Sequence, residues 1–520
     1  MARYFSLVLI IFFISCKENT TKVSPETEDI ATNSTNTYTE SFRPQFHFSP
    51  PTHWMNDPNG LVYHQGVYHL FYQYYPEDIV WGPMHWGHAV SKDMVTWEHK
   101  PIALYPDDLG LIFSGSAVVD VTNSSGFGTL ENPPLVAIFT YHLMAGEKAG
   151  RKDFQTQGIA YSLDNGDTWV KYEGNPVIGN KGIKDFRDPK VFWHEDSEQW
   201  ILTLVAGDHA KFYSSSNLKD WKLISEFGKD KGDHGGVWEC PDLFKLKVEG
   251  SNEEKWVLLV SINPGAPNGG SGTQYFVGEF DGTTFTTQQT ETKWIDLGRD
   301  NYAGVTYNNT PNNERIFIGW MSNWDYARTT PTEVWRSAMT LPRTISLHKD
   351  ESGYFIKNYP LKELSTISSE AYAQETFIGS QFELSNENFN ASEISFKINL
   401  VETFELTFSN SLDEKVVFKM LPASSELIFD RTKSGLTNFD EKFAPNVQKQ
   451  NYFIENENVE IRMILDASSI EIFVANGRYV FTNQIFPEAP YTNLTIRSGS
   501  NTTVIQDFKM NKLTSIWNNE

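Results

Sequence analysis

Cysteine is almost absent from this chain of 520 residues, which has only Cys16 and Cys240. Two thiols so far apart cannot build a disulfide framework or a cysteine-rich zinc site. Positive charge is also short. Against 66 aspartates and glutamates stand 43 lysines and arginines, a formal net charge of −23. A field of that sign repels a nucleic-acid backbone, which excludes DNA or RNA as a main partner. No apolar run reaches the ~20 residues of a membrane-spanning helix; residues 5–14 form an apolar run of ten with one Ser. Extended helical periodicity is lacking as well. What the chain has in quantity is aromatic side chains, 14% of the total, within an apolar fraction of 39%. That composition is too hydrophobic for a disordered chain. At ~100–200 residues per domain the length predicts two to four domains.

The short run sits at the start, in Met1-Ala-Arg-Tyr-Phe-Ser-Leu-Val-Leu-Ile-Ile-Phe-Phe-Ile-Ser15. One early positive charge, a short apolar stretch and a small residue match a secretory signal. Ser15-Cys16-Lys17 resembles a bacterial lipobox. The resemblance implies cleavage before Cys16, lipidation at that thiol, and an exported protein held at the membrane by its lipid, in the periplasm or on the cell surface. Several acyl chains on one residue anchor stably, where a single chain does not. Residues 16–42 are rich in Thr, Ser, Asn and Glu and read as a flexible tether.

From about residue 45 the pattern becomes short apolar runs separated by Gly, Asn, Asp and Pro, an all-β signature. A strongly apolar strand recurs, beginning at Tyr68, Leu135, Trp200, Trp256 and Arg315, with starts 56 to 67 residues apart. Five units at a near-constant period, each long enough for four strands, predict a five-bladed β-propeller over residues 43–350. A weaker echo runs from Ser through a polar turn to Trp at Ser91–Trp97, Ser162–Trp169 and Ser214–Trp221, with Phe280–Phe285 as a fourth counterpart. Residues 360–520 lack the repeat. Their short alternating strands and the Asn476-Gly477 turn predict a C-terminal β-sandwich.

Three acids occupy similar places in the repeat. Asp57-Pro58, Asp188-Pro189 and Glu239-Cys240-Pro241 each open the strand before an apolar second strand. Alone, the first is a good type I turn, the second a common surface turn, and the third carries almost no signal. Together they say more, because the innermost strands of a propeller line one channel and equivalent positions converge at one end of it. Converging carboxyl groups suit glycoside cleavage, in which a retaining enzyme needs one carboxylate as nucleophile and one carboxylic acid as proton donor. Like charges in one pocket raise a pKa and keep the donor protonated.

These segments resemble glycoside hydrolase family 32, the β-fructosidases. The likeness rests on Trp54-Met-Asn-Asp-Pro-Asn-Gly60, Phe113-Ser-Gly-Ser116, Phe186-Arg-Asp-Pro189 and Trp238-Glu-Cys-Pro241. It continues through Ile318–Trp324 and Trp335–Arg343 into Asp466–Phe473 and Val480–Pro487. The resemblance implies a five-bladed propeller followed by a sandwich. It implies Asp57 as nucleophile, Glu239 as general acid and base, and Asp188 as the stabiliser of the transition state. It implies a fructose pocket lined by Asn56, Gln73, Trp81, Phe113, Ser114 and Trp320, with Arg187 tuning Glu239 and Cys240 packing beside it. No metal or organic cofactor is called for. The stretches Tyr105–Ser116 and Trp324–Trp335 look closer to levanases and exo-inulinases than to plant invertases, so the expected substrates are levan, inulin and sucrose, cleaved from the non-reducing fructosyl end. Two other readings use the same residues: a fructosyltransferase, and a glycan-binding lipoprotein without catalysis.

Overall fold

The computed structural model describes residues 38–454 and 458–517. The expected signal at 1–15, the lipid site at Cys16 and the expected tether up to residue 37 lie outside the described residues. Among those described, the fold is built of β-strands, with one α-helix of five residues, Met144–Lys148. Seven sheets account for the strands. Five follow one another as propeller blades, and two six-stranded sheets face each other as the sandwich.

The innermost strands of the blades are His53–His64, Leu111–Val119, Phe186–His194, Val237–Lys247 and Tyr302–Thr306. Each pairs antiparallel with its apolar neighbour: Val67–Tyr75, Leu135–His142, Gln199–Ala206, Glu254–Asn263 and Ile316–Met321. These second strands are the recurring apolar runs of the sequence. They are almost wholly buried because both faces pack between blades. The Ser-to-Trp echoes form the turns between third and fourth strands. Asp93 accepts from Val95 and Thr96, Asn217 from Lys219 and Asp220, and Asp281 from Thr283 and Thr284. The ring closes where His53 and Trp54 pair in parallel with Trp335 and Arg336 from the far end of the propeller.

The fifth sheet continues through Arg343–Asp350 to Gly353–Pro360. The sandwich strands then begin at Ser368. Their inward residues alternate with outward ones, as in Phe404, Leu406 and Phe408, and fill a core with Phe418, Ile461, Ile472 and Phe481. Of residues 38–42, expected within the tether, Tyr38 is buried, while Thr39 and Ser41 stay exposed. Tyr38 stacks on Trp517 at 4.1 Å between ring centroids, and its hydroxyl lies 2.7 Å from His99 Nε2. The reason is Arg43, which is fully buried and takes Glu40 as its counter-ion at 2.7 Å.

Where this N-terminal segment meets the sandwich, His47 is completely enclosed. Its Nδ1 lies 2.8 Å from Asp466 Oδ2 and its Nε2 lies 3.5 Å from Glu471 Oε1. Burial pulls the imidazole pKa down, but the two carboxylates outweigh it and lift it to about 9. Stability from this pair is therefore complete below the unfolded histidine value of ~6.5. It is lost as pH rises through about 9. At pH 6, His47→Gln is expected to destabilise the protein by about 3 kcal/mol, the cost of stripping a buried charge of its partner. In thermal melting, the gap between His47→Gln and wild type should close as pH is raised from 7 to 10. A gap independent of pH would contradict the charged assignment.

Candidate active site

One irregularity recurs in all five inner strands. The ladder slips between Met55 and Pro58, between Ile112 and Gly115, across Arg187–Lys190, between Glu239 and Asp242, and between Tyr302 and Val305. A bulge frees a residue from the ladder and re-aims its side chain. Proline fits there, since it has no N–H to give, and Pro58, Pro189 and Pro241 mark three of the five. The backbone at Asp188, Cys240 and Ala303 is left-handed, with φ of 63°, 45° and 53°. Non-glycine residues in that region cost ~1–3 kcal/mol each and concentrate at functional sites.

The bulges bring the three acids together. Asp57 accepts from Asn56 Nδ2 at 3.0 Å and from Ser114 Oγ at 2.7 Å. Asp188 Oδ2 accepts from the Cys240 backbone N–H at 3.0 Å, while its own N–H donates to Thr140 Oγ1. The Cys240 sulfur is 3.6 Å from an oxygen of Asp57 and 3.6 Å from one of Asp188. Glu239 Oε1 accepts from Arg187 Nη2 at 2.9 Å, and Glu239 Oε2 accepts from the hydroxyl of Tyr302. Arg187 also donates to Asp185 Oδ1 at 2.7 Å and comes within 3.8 Å of Asp188. Among the three acids, Asp188 is the deepest, whereas the Glu239 side chain keeps 19% of its surface accessible.

Charge in the cavity follows from this packing. Burial raises Glu239 to about 7, Arg187 opposes it, and the charges of Asp188 and Asp57 add to it. Burial likewise raises Asp188 to about 6, with Arg187 again opposing and Asp57 adding. The Cys240 thiol is pushed well above its ordinary value by burial and by the three neighbouring carboxylates, so it stays protonated. A carboxyl group near 7 beside other carboxylates is the electrostatic arrangement of an acid–base pair.

The expected wall residues divide into two layers. Trp81 and Phe113 meet edge to face at 6.1 Å, both partly exposed, and Phe113 is backed by His142 at 4.2 Å. Asn56 and Ser114 reach Asp57 directly. Gln73 is nearly enclosed, with its amide donating to the carbonyl of Ile112. Trp320, expected to line the pocket, is fully buried. It sits behind Trp54 and Trp324, at 6.2 and 4.9 Å between ring centroids, because the apolar fifth-blade strand carries it into the core. Trp324 is the partly exposed ring of that group. Sequence reasoning missed Tyr302, Asp185, Thr140 and Trp324 as site residues. Tyr302 was discoverable, since it opens the fifth inner strand at the place equivalent to the acids.

Known proteins agree with this architecture. The glycosyl hydrolases family 32 N-terminal domain matches residues 47–359, and the family's C-terminal domain matches residues 361–512. A levanase from Bacillus subtilis is 46% identical over 492 residues, covering 92% of this chain and 72% of the relative. The crystal structure of an exo-inulinase from Aspergillus awamori is similar with a TM-score of 0.85 and 39% identity, covering 92% of this chain and all of that one. A fructofuranosidase from Schwanniomyces occidentalis, solved in complex with fructose, aligns with a TM-score of 0.81 and 30% identity, over 92% and 99% of the two chains. Matches to both domain types across nearly the whole of the described fold place the chain in glycosyl hydrolase family 32.

Proposed function

We propose that this protein is an exo-acting fructan β-fructosidase that releases fructose from the non-reducing ends of levan, inulin and sucrose with retention of configuration. The observation that carries this reading is the pairing of Asp57, which is held by Asn56 and Ser114, with Glu239, which is raised to about 7. The levanase and exo-inulinase named above support the substrate class.

In this mechanism Glu239 enters protonated and gives its proton to the leaving oxygen. Asp57 attacks C2 of the fructosyl unit, and an ester to Asp57 forms as the C2–O bond breaks. The ionised Glu239 then takes a proton from water, the hydroxide attacks C2, and the ester breaks to regenerate both groups. Asp188 binds fructose hydroxyls from the channel floor. Arg187 is shared among Asp185, Glu239 and Asp188, and it stabilises Glu239 once the proton has left. Cys240 donates its backbone N–H to Asp188 and takes no covalent part. The propeller, residues 43–350 with its closing strand to Pro360, carries the chemistry; residues 360–520 form the supporting sandwich. For the N-terminus, the reading is export through residues 1–15 and lipidation at Cys16.

Two measurements test this reading. The rate on sucrose should fall as pH rises through about 7, as Glu239 loses its proton. Glu239→Gln should lose ~10²–10⁴-fold in rate, the usual worth of general acid–base help, while melting close to wild type. Wild-type turnover in that variant rules out the assignment. For the anchor, Cys16→Ala should move the protein from the membrane pellet to the soluble fraction of a bacterial host; an unchanged distribution argues against lipidation.

A further inference from the structure

One sandwich side chain bridges two propeller segments that lead to the catalytic cavity. Arg431, in the sandwich strand Glu426–Lys433, is fully buried. Its Nη1 donates to Asp300 Oδ2 at 2.6 Å and to the carbonyl of Gln484 at 2.9 Å. Its Nη2 donates to the hydroxyl oxygen of Tyr326 at 2.7 Å and to the carbonyl of Phe443 at 2.6 Å. Its planar face lies 4.0 Å from the Phe443 ring centroid. Tyr326 in turn donates its hydroxyl proton to Asp300 Oδ1 at 2.7 Å, closing a triangle.

Both propeller partners of Arg431 stand two residues from a cavity side chain. Asp300 precedes Tyr302, whose hydroxyl donates to Glu239. Tyr326 follows Trp324, which lies 5.9 Å from Trp54, and the Trp54 indole N–H holds Asn56 beside Asp57. The two segments are tied to each other, since Asn323 Nδ2 donates to the carbonyl of Arg299 at 2.8 Å. The first is also laid along the sandwich strand Tyr479–Gln484. Leu297 N–H donates to the Val480 carbonyl at 2.7 Å and Asp300 N–H to the Thr482 carbonyl at 3.1 Å. A Cβ on Gly298 would lie 2.1 Å from the Thr482 carbonyl oxygen, so the two backbones touch there.

We propose that Arg431 is a positioning residue of the active site: from the sandwich it fixes the two propeller segments that carry Tyr302 and Trp324, and through them sets the acid Glu239 and the aromatic wall beside Asp57. The proposal rests on the reading of this cavity as a fructoside-cleaving site. Arginine suits the task because its planar fork fixes direction as well as charge, binding two partners at once. Small displacements at this range matter, since a 1 Å misplacement costs up to ~10²-fold in rate.

The test uses the full chain and sucrose. The double variant Arg431→Met with Asp300→Asn removes both buried charges together, so neither is left unpaired. Below its own melting transition, it should lose about tenfold in kcat. Around Glu239 stand Arg187 and Tyr302 as donors, Asp57 and Asp188 as carboxylates, and the Cys240 thiol. Loss of the Tyr302 donor weakens the ionised form, so the alkaline limb of the kcat profile should move to higher pH. Adding Tyr302→Phe should cost less in the double variant than in wild type. A folded double variant with wild-type kcat, an unmoved limb and an undiminished effect of Tyr302→Phe overturns the proposal. Should the double variant fail to fold, Tyr326→Phe removes one oxygen and leaves the ion pair intact. It should raise KM for sucrose with little change in melting temperature, and an unchanged KM there overturns the proposal. If the wild-type enzyme frees no fructose, the functional reading falls and takes the proposal with it; an active enzyme indifferent to Arg431 removes only the proposal.

Discussion

Three carboxyl groups gathered around one cysteine repel each other, and the cavity holds them only because its walls distribute that repulsion. Arg187 spreads one positive charge over Asp185, Asp188 and Glu239. The Cys240 backbone N–H points at Asp188, and Ser114 and Asn56 point at Asp57. Glu239 meets the remaining cost by keeping its proton until pH about 7. The donors in that balance, Asn56, Ser114, Arg187 and Cys240, all sit at the bulges that recur in the inner strands.

Buried ion pairs also join the two parts of the fold. His47 with Asp466, Arg343 with Asp296 and Glu471, and Arg431 with Asp300 all lie where propeller segments meet sandwich strands. Such pairs add little stability over apolar packing, but they dictate direction. They fit an interface whose work is to hold loops at fixed positions. On this view the sandwich is part of how the active site is held.

Much of this was legible in the sequence, for physical reasons. Strand-length apolar runs at a constant period can bury themselves only against one another, so Tyr68, Leu135, Trp200, Trp256 and Arg315 announced five blades. The repeat put Asp57, Asp188 and Glu239 at similar places on three inner strands, so their convergence was legible; the bulges that aim them were not. The supporting residues were not legible. Tyr302 has no proline beside it, Thr140 sits within an ordinary apolar strand, and Arg431 meets Asp300 across 131 residues of chain. Trp320 is the opposite case: its motif was legible, but it lies in a strand that is buried along its whole length, while Trp324, in the turn that follows, stays partly exposed.

The central claim is that Asp57 carries the fructosyl unit while Glu239 serves as its acid and base. It is tested most directly by trapping the intermediate. In a Glu239→Ala variant supplied with a fructoside whose aryl leaving group needs no protonation, the first step proceeds and the second lacks its base. Mass spectrometry of the proteolysed protein should then find one fructosyl group esterified to Asp57 in the peptide that contains residues 53–64. A label on Asp188, or no covalent label while aryl alcohol is released, would contradict the account.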